Sequence, residues 1–139
     1  MNIKLTIEYN GAGFSGWQRQ PGQRTIQSEL EEALKTYLHQ DLQTTASGRT
    51  DKGVHAKAQV VSFELESEAG LDLETGLDLK KLTSSLNGIC PEDLRVISAE
   101  EVVDDFNARL APHLKCYCYA LNISGQRSPL FDELSLIHI

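Results

Sequence analysis

The chain has 139 residues, 40% hydrophobic and 24% charged, which suits one ordinary soluble domain with a core, or one domain and the start of a second. A net charge of −7 argues against nucleic-acid binding on average, because phosphate contacts need Lys and Arg. The average hides an asymmetry: residues 1–60 carry 7 basic and 6 acidic side chains, residues 61–139 carry 6 and 14, so a local phosphate-binding face is not excluded.

In chain order, residues 2–9 alternate, with Ile3, Leu5, Ile7 and Tyr9 on one face, which predicts a half-buried strand. Residues 10–24 are Gly-rich and polar and read as a loop. From Thr25, a natural N-cap, Ile26, Leu30, Ala33, Leu34, Tyr37 and Leu38 repeat with the helical period. A short strand is expected at 43–46, then a Gly-flanked loop, SGRTDKGVHA (47–56), then a strand at 59–65 with Val61, Phe63 and Leu65 on one side. Residues 66–78 are acidic and read as a solvated connection. A second helix is expected over 78–87, carrying Leu79, Leu82 and Leu86, with Asn87-Gly88 as its stop, followed by a strand at 94–98. This β-α-β-β-α-β order predicts an α+β, ferredoxin-like antiparallel sheet, both helices on one face and the other face free. A further strand is expected at 115–123, with Tyr117 and Tyr119 on one side, opening a second unit.

No apolar run approaches the roughly 18 residues of a membrane helix. The opening MNIKLTIEYNG lacks the apolar stretch of a signal peptide, and three cysteines without such a signal read as reduced thiols of a cytoplasmic protein.

Gly11, Gly13 and Gly16 match the dinucleotide fingerprint literally, but that mechanism needs a helix to start at the glycines, and here it starts after Pro21-Gly22. Phe14, Trp17, Arg19 and Arg24 in the same loop suit either an RNA surface or a structural loop. Cys116 and Cys118 would need distant Cys90 and His55 to complete a metal site, so no metal is expected and the thiols read as small buried hydrophobes. The 47–56 loop is the most loaded with chemistry. Its Asp51 could simply form an Asx turn. On composition alone the turn is the better reading; a loop longer than a hairpin needs, held between two strands, with Arg49, Lys52 and His55 near the carboxylate, raises the reading of Asp51 as nucleophile or base. Tyr117, in an alternating segment, could be core or platform.

YNGAGFSGWQRQ (9–20), RTIQSELEEAL (24–34), ASGRTDKGVHA (46–56) and LNGICPEDLRV (86–96), followed by Phe106, Ala108, Arg109, Tyr117 and Tyr119, resemble the N-terminal half of the TruA family of tRNA pseudouridine synthases. The resemblance runs from residue 2 to about 130. It implies a pseudouridine synthase type of fold, with residues 1–105 as the catalytic N-terminal domain and 106–139 as the start of a truncated second domain. It further implies isomerisation of uridine to pseudouridine at positions 38, 39 and 40 of the tRNA anticodon arm, no cofactor and no metal, and a homodimer. By the same resemblance Asp51 is the nucleophile, Tyr117 stacks on the target base, and Arg49 pairs with the catalytic carboxylate and the flipped nucleotide. Arg19, Arg24, His55 and Arg109 are further candidate RNA contacts. Lys52, Leu110–His113 and Cys116 depart from the family pattern, and residues 135–139 match nothing in it and read as an artefactual tail. A different class of function is a non-catalytic RNA-binding module or inactive fragment, which turnover by this chain would refute.

Breaking the C–N glycosidic bond and rejoining the base through carbon involves no net redox change. A carboxylate could attack the sugar C1′, attack the base C6, or remove a ribose proton. The base must leave its stack, at a cost of a few kcal/mol, and an aromatic platform returns roughly 1–3 kcal/mol of that.

Overall fold

The computed structural model describes residues 1–66 and 77–129. Strand β1 (Asn2–Tyr9) leads through a short 3-10 turn (Gly11–Gly13) and a loop into helix α1 (Ile26–Leu38). Strands β2 (Thr45–Ala46) and β3 (Ala56–Glu64), helix α2 (Leu79–Ile89) and strand β4 (Leu94–Val102) follow. The four strands form one antiparallel sheet in the order β2-β3-β1-β4, so β1 is paired on both sides.

The alternation in β1 does what its spacing predicts. Ile3, Leu5, Ile7 and Tyr9 are buried with Val61 and Phe63 of β3, the apolar stripe of α1, and Leu82 and Leu86 of α2. Both helices therefore cover one face, and each fully buried Leu or Ile contributes about 1.5–3 kcal/mol by leaving water. Thr25 caps α1 in a reciprocal box with Ser28, each side-chain oxygen accepting the other's backbone N–H at 3.2 Å.

Four expectations are corrected. Asn87-Gly88 does not stop α2, which runs on to Ile89 before Pro91. The Asn87 amide instead spans to β4, accepting from the Val96 N–H and donating to its carbonyl, both at 2.8 Å. β4 is longer than its alternation shows, because a bulge opposite Thr6/Ile7 shifts the register and leaves Ile97 exposed. The second sheet face is not wholly free. Ala108 is buried there and its N–H donates to the Ser62 hydroxyl at 3.0 Å, while the Asn2 amide donates to the Phe106 carbonyl. Finally, residues 115–123 form no strand among the described residues. With no ladder partner, Tyr117, Tyr119, Leu121 and Ile123 stand exposed, and so do Cys116 and Cys118. Residues 130–139, including the 135–139 tail, lie outside the described residues, as does most of the acidic 66–78 connection.

Candidate active site

The Asp51 loop leaves β2 and returns at β3, so the sheet fixes both of its ends. Ser47 N–H donates to the Val60 carbonyl at 2.8 Å, and the Gln59 amide donates to the Gly48 carbonyl. The loop then packs on the segment after β1. A Cβ on Gly11 would overlap the Val54 carbonyl, and one on Gly16, at φ +87°, would lie 2.8 Å from the Thr50 carbonyl. The glycines are therefore there for close backbone approach. Trp17 N–H donates to the Thr50 carbonyl at 2.9 Å, and Gly11 N–H donates to His55 Nδ1 at 3.1 Å, which leaves the imidazole proton on Nε2. The Tyr9 hydroxyl, at the end of β1, lies 2.8 Å from the Thr50 hydroxyl. Burial raises the Tyr9 pKa above its ordinary value, against the smaller opposing effect of that hydrogen bond.

Between the two segments is an open hollow of about 570 Å³, lined by Ser15, Trp17, Gln18, Gln20, Gln23 and the run Arg49-Thr50-Asp51-Lys52. Asp51 is exposed at its edge and forms no ion pair among the described residues. Arg49 lines the same hollow, but no Arg49–Asp51 pair is formed in this structure. Tyr117 is 69% exposed and outside the lining. Its segment nonetheless passes the loop, because the Lys115 ammonium would lie 3.5 Å from a Cβ on Gly48.

The glycine-rich segment cannot receive a pyrophosphate as a dinucleotide loop does. The first N–H groups of α1 are already used, with Ile26 donating to the Gly16 carbonyl at 3.2 Å and Gln27 to that of Trp17 at 3.0 Å. Phe14 and Trp17 are core side chains, not surface platforms. Arg24 is committed within the fold: it makes a two-pronged pair with Asp93 at 2.8 Å, bonds Glu29 at 3.0 Å, and covers the Phe14 ring at 4.1 Å. Asp93 is held below the usual carboxylate range by the Arg24 hydrogen bonds. Arg19 pairs with the buried Glu31 at 2.6 Å yet keeps a half-exposed side chain. Arg109 is exposed. Sequence reasoning missed Gln27 and Glu31, whose signal is two polar residues four apart on the edge of the apolar stripe of α1.

Among the described residues, no cluster of His, Cys, Asp and Glu is suited to hold a metal ion, and no helix is long and apolar enough to cross a membrane.

A carboxylate on a braced loop, beside an Arg and a Lys and facing an open polar hollow, suits nucleophilic work on an anionic polymer. The family model described as tRNA pseudouridine synthase matches residues 5–109, and the chain belongs to that family. It is 38% identical over 138 residues to tRNA pseudouridine synthase A 2 of Clostridium perfringens, covering 99% of this chain and 53% of that protein. It is 42% identical over 124 residues to tRNA pseudouridine synthase A of Bacillus pumilus (88% and 47% covered) and 40% identical over 121 residues to that of Thermodesulfovibrio yellowstonii (87% and 44%). The chain thus spans about half the length of the curated relatives it matches.

Proposed function

We propose that the chain carries the catalytic loop of a tRNA pseudouridine synthase acting on uridines 38, 39 and 40 of the anticodon arm, with Asp51 as the nucleophile. The observation that carries this reading is the bracing of the Asp51 loop, whose backbone is tied to Trp17 and whose flank is tied to Tyr9, in a chain of this family. Preorganisation of this kind lets a carboxylate meet a flipped uridine without the loop having to order at the moment of reaction.

In this reading the target base leaves its stack and enters the hollow beside Asp51. The carboxylate bonds to the nucleoside, the N1–C1′ bond breaks with its electron pair passing to the uracil, the uracil turns, C5 bonds to C1′, the bond to Asp51 breaks to return the free carboxylate, and N1 takes up a proton. The C5 proton is then released to solvent. Arg49, on the same rim, holds the phosphate of the flipped nucleotide and steadies the carboxylate once RNA is bound. Tyr117 supplies the stacking surface, reached from a segment whose Lys115 passes beside Gly48. Lys52 extends the basic rim along the RNA backbone, and the exposed Arg109 is a further candidate contact away from the lining. The element order and strand order support a ferredoxin-like sheet for residues 1–105, with 106–139 leading into a second domain. The working protein is a cytoplasmic homodimer that needs no cofactor.

The site specificity is tested by incubating the chain with tRNAs carrying cytidine at 38, 39 or 40 and mapping pseudouridine by carbodiimide-primer extension. Each substitution is expected to remove only its own product. Pseudouridine formed solely outside the anticodon arm would contradict the assignment.

A further inference from the structure

Gln18, which lines the same hollow as Asp51, is tied to α1 by a single amide. Gln27 stands in the first turn of α1, half-buried and outside the lining. Its Oε1 accepts from the Gln18 amide at 3.1 Å and from the Arg19 backbone N–H at 3.0 Å. Its Nε2 donates to Glu31 at 3.0 Å and to the Thr44 carbonyl at 3.2 Å. Both ends of the amide are thus committed, and flipping it would set donor against donor and acceptor against acceptor. Glu31 is itself fixed: one oxygen also accepts from the Thr44 N–H at 2.8 Å and hydroxyl at 2.9 Å, and the other pairs with the Arg19 guanidinium. Orientation therefore passes from Thr44 to Glu31, from Glu31 to Gln27, and from Gln27 to Gln18 and Arg19.

We propose that Gln27 is a positioning residue for tRNA, holding Gln18 on the lining of the hollow, and Arg19 next to it in the chain, for an incoming strand. The inference rests on the pseudouridine synthase reading. Gln18 offers an amide that can donate or accept. Arg19 meets only Glu31 through its guanidinium among the described residues, so its other donors can take a phosphate while that pair is kept. A rim held in advance spares the RNA the entropy cost of ordering it.

The test uses the chain and its Q27A and Q27E variants. Binding of a fluorescent tRNA anticodon stem-loop is followed by anisotropy, alongside the thermal midpoint and hydrogen exchange of the Arg19 amide. Q27A is expected to keep its midpoint within a few degrees, to exchange faster at Arg19, and to bind about fivefold to tenfold more weakly, as befits one or two side chains left unordered. Q27E sets a carboxylate against Glu31 and should bind more weakly still. A merely structural Gln27 would lower the midpoint and leave the affinity of the folded protein unchanged. An unchanged affinity in Q27A or in Q27E overturns the inference. A wild-type chain that does not bind the stem-loop overturns both this inference and the functional reading. A D51N variant that binds and still turns over sinks the catalytic reading and leaves Gln27 in its role.

Discussion

The Tyr9 hydroxyl lies 2.8 Å from the Thr50 hydroxyl, so the last residue of the central strand grips the residue directly before Asp51. The Asp51 loop is thereby referenced to β1, which is paired on both sides. Y9F removes that bond with little change in packing and should cost about 1 kcal/mol of stability, the usual net worth of one hydrogen bond. Urea denaturation of the two proteins reads the difference, and identical midpoints would show that the bond contributes nothing.

Gly11 and Gly22 should respond very differently to alanine. At Gly11 a Cβ runs into the Val54 carbonyl, a backbone atom that cannot swing aside. G11A should therefore lose more than about 2 kcal/mol, because the two segments of the site must separate. At Gly22 nothing lies within 4 Å and only the positive φ of +70° opposes a side chain, so G22A should cost about 1 kcal/mol. Denaturation midpoints of both variants check the contrast.

The Arg24–Asp93 pair predicts an acid-sensitive share of stability. Asp93 is held below its ordinary pKa by Arg24, so the contribution is complete above the unfolded value, about 4, and is lost as pH falls through the lower folded value. Both side chains are partly solvated, which limits the share to about 1 kcal/mol. The stability gap between wild type and D93N should be full at pH 6 and should close as the solution is acidified below pH 4.

Among the three thiols, burial pushes Cys90 up to about 11, whereas Cys116 and Cys118 are exposed. Reaction with Ellman's reagent at pH 8 should modify two cysteines at once and the third only on unfolding. C116S/C118S should lose the fast phase entirely. Because the Cys90 pKa is raised in the folded state, its contribution to stability is complete below the unfolded value, about 8.5, and declines as pH rises towards 11.

The parts of this architecture governed by local rules were legible in the sequence. The alternation of Ile3, Leu5, Ile7 and Tyr9 and the spacing of Ile26, Leu30, Leu34 and Leu38 placed the main strand and helix, and Thr25 marked the cap. Features set by tertiary partners were not legible. Asn87-Gly88 looks like a helix stop until Asn87 is seen gripping Val96. Arg24 looks like an RNA contact until Asp93, 69 residues away, takes its guanidinium. The alternation at 115–123 reads as a strand, but no strand forms there among the described residues, and the thiols and tyrosines are exposed. At the candidate site, the family resemblance rather than residue types singled out Asp51, and the bracing of its loop by Tyr9 and Trp17 came only from the three-dimensional arrangement.

The account stands on Asp51 as the nucleophile. The most direct measurement is tritium release from tRNA labelled at uracil C5, comparing the chain with D51N while binding of the anticodon stem-loop is followed in parallel. Binding retained by D51N with release reduced to background is the predicted result. Release by D51N at a rate near that of the unsubstituted chain would contradict it.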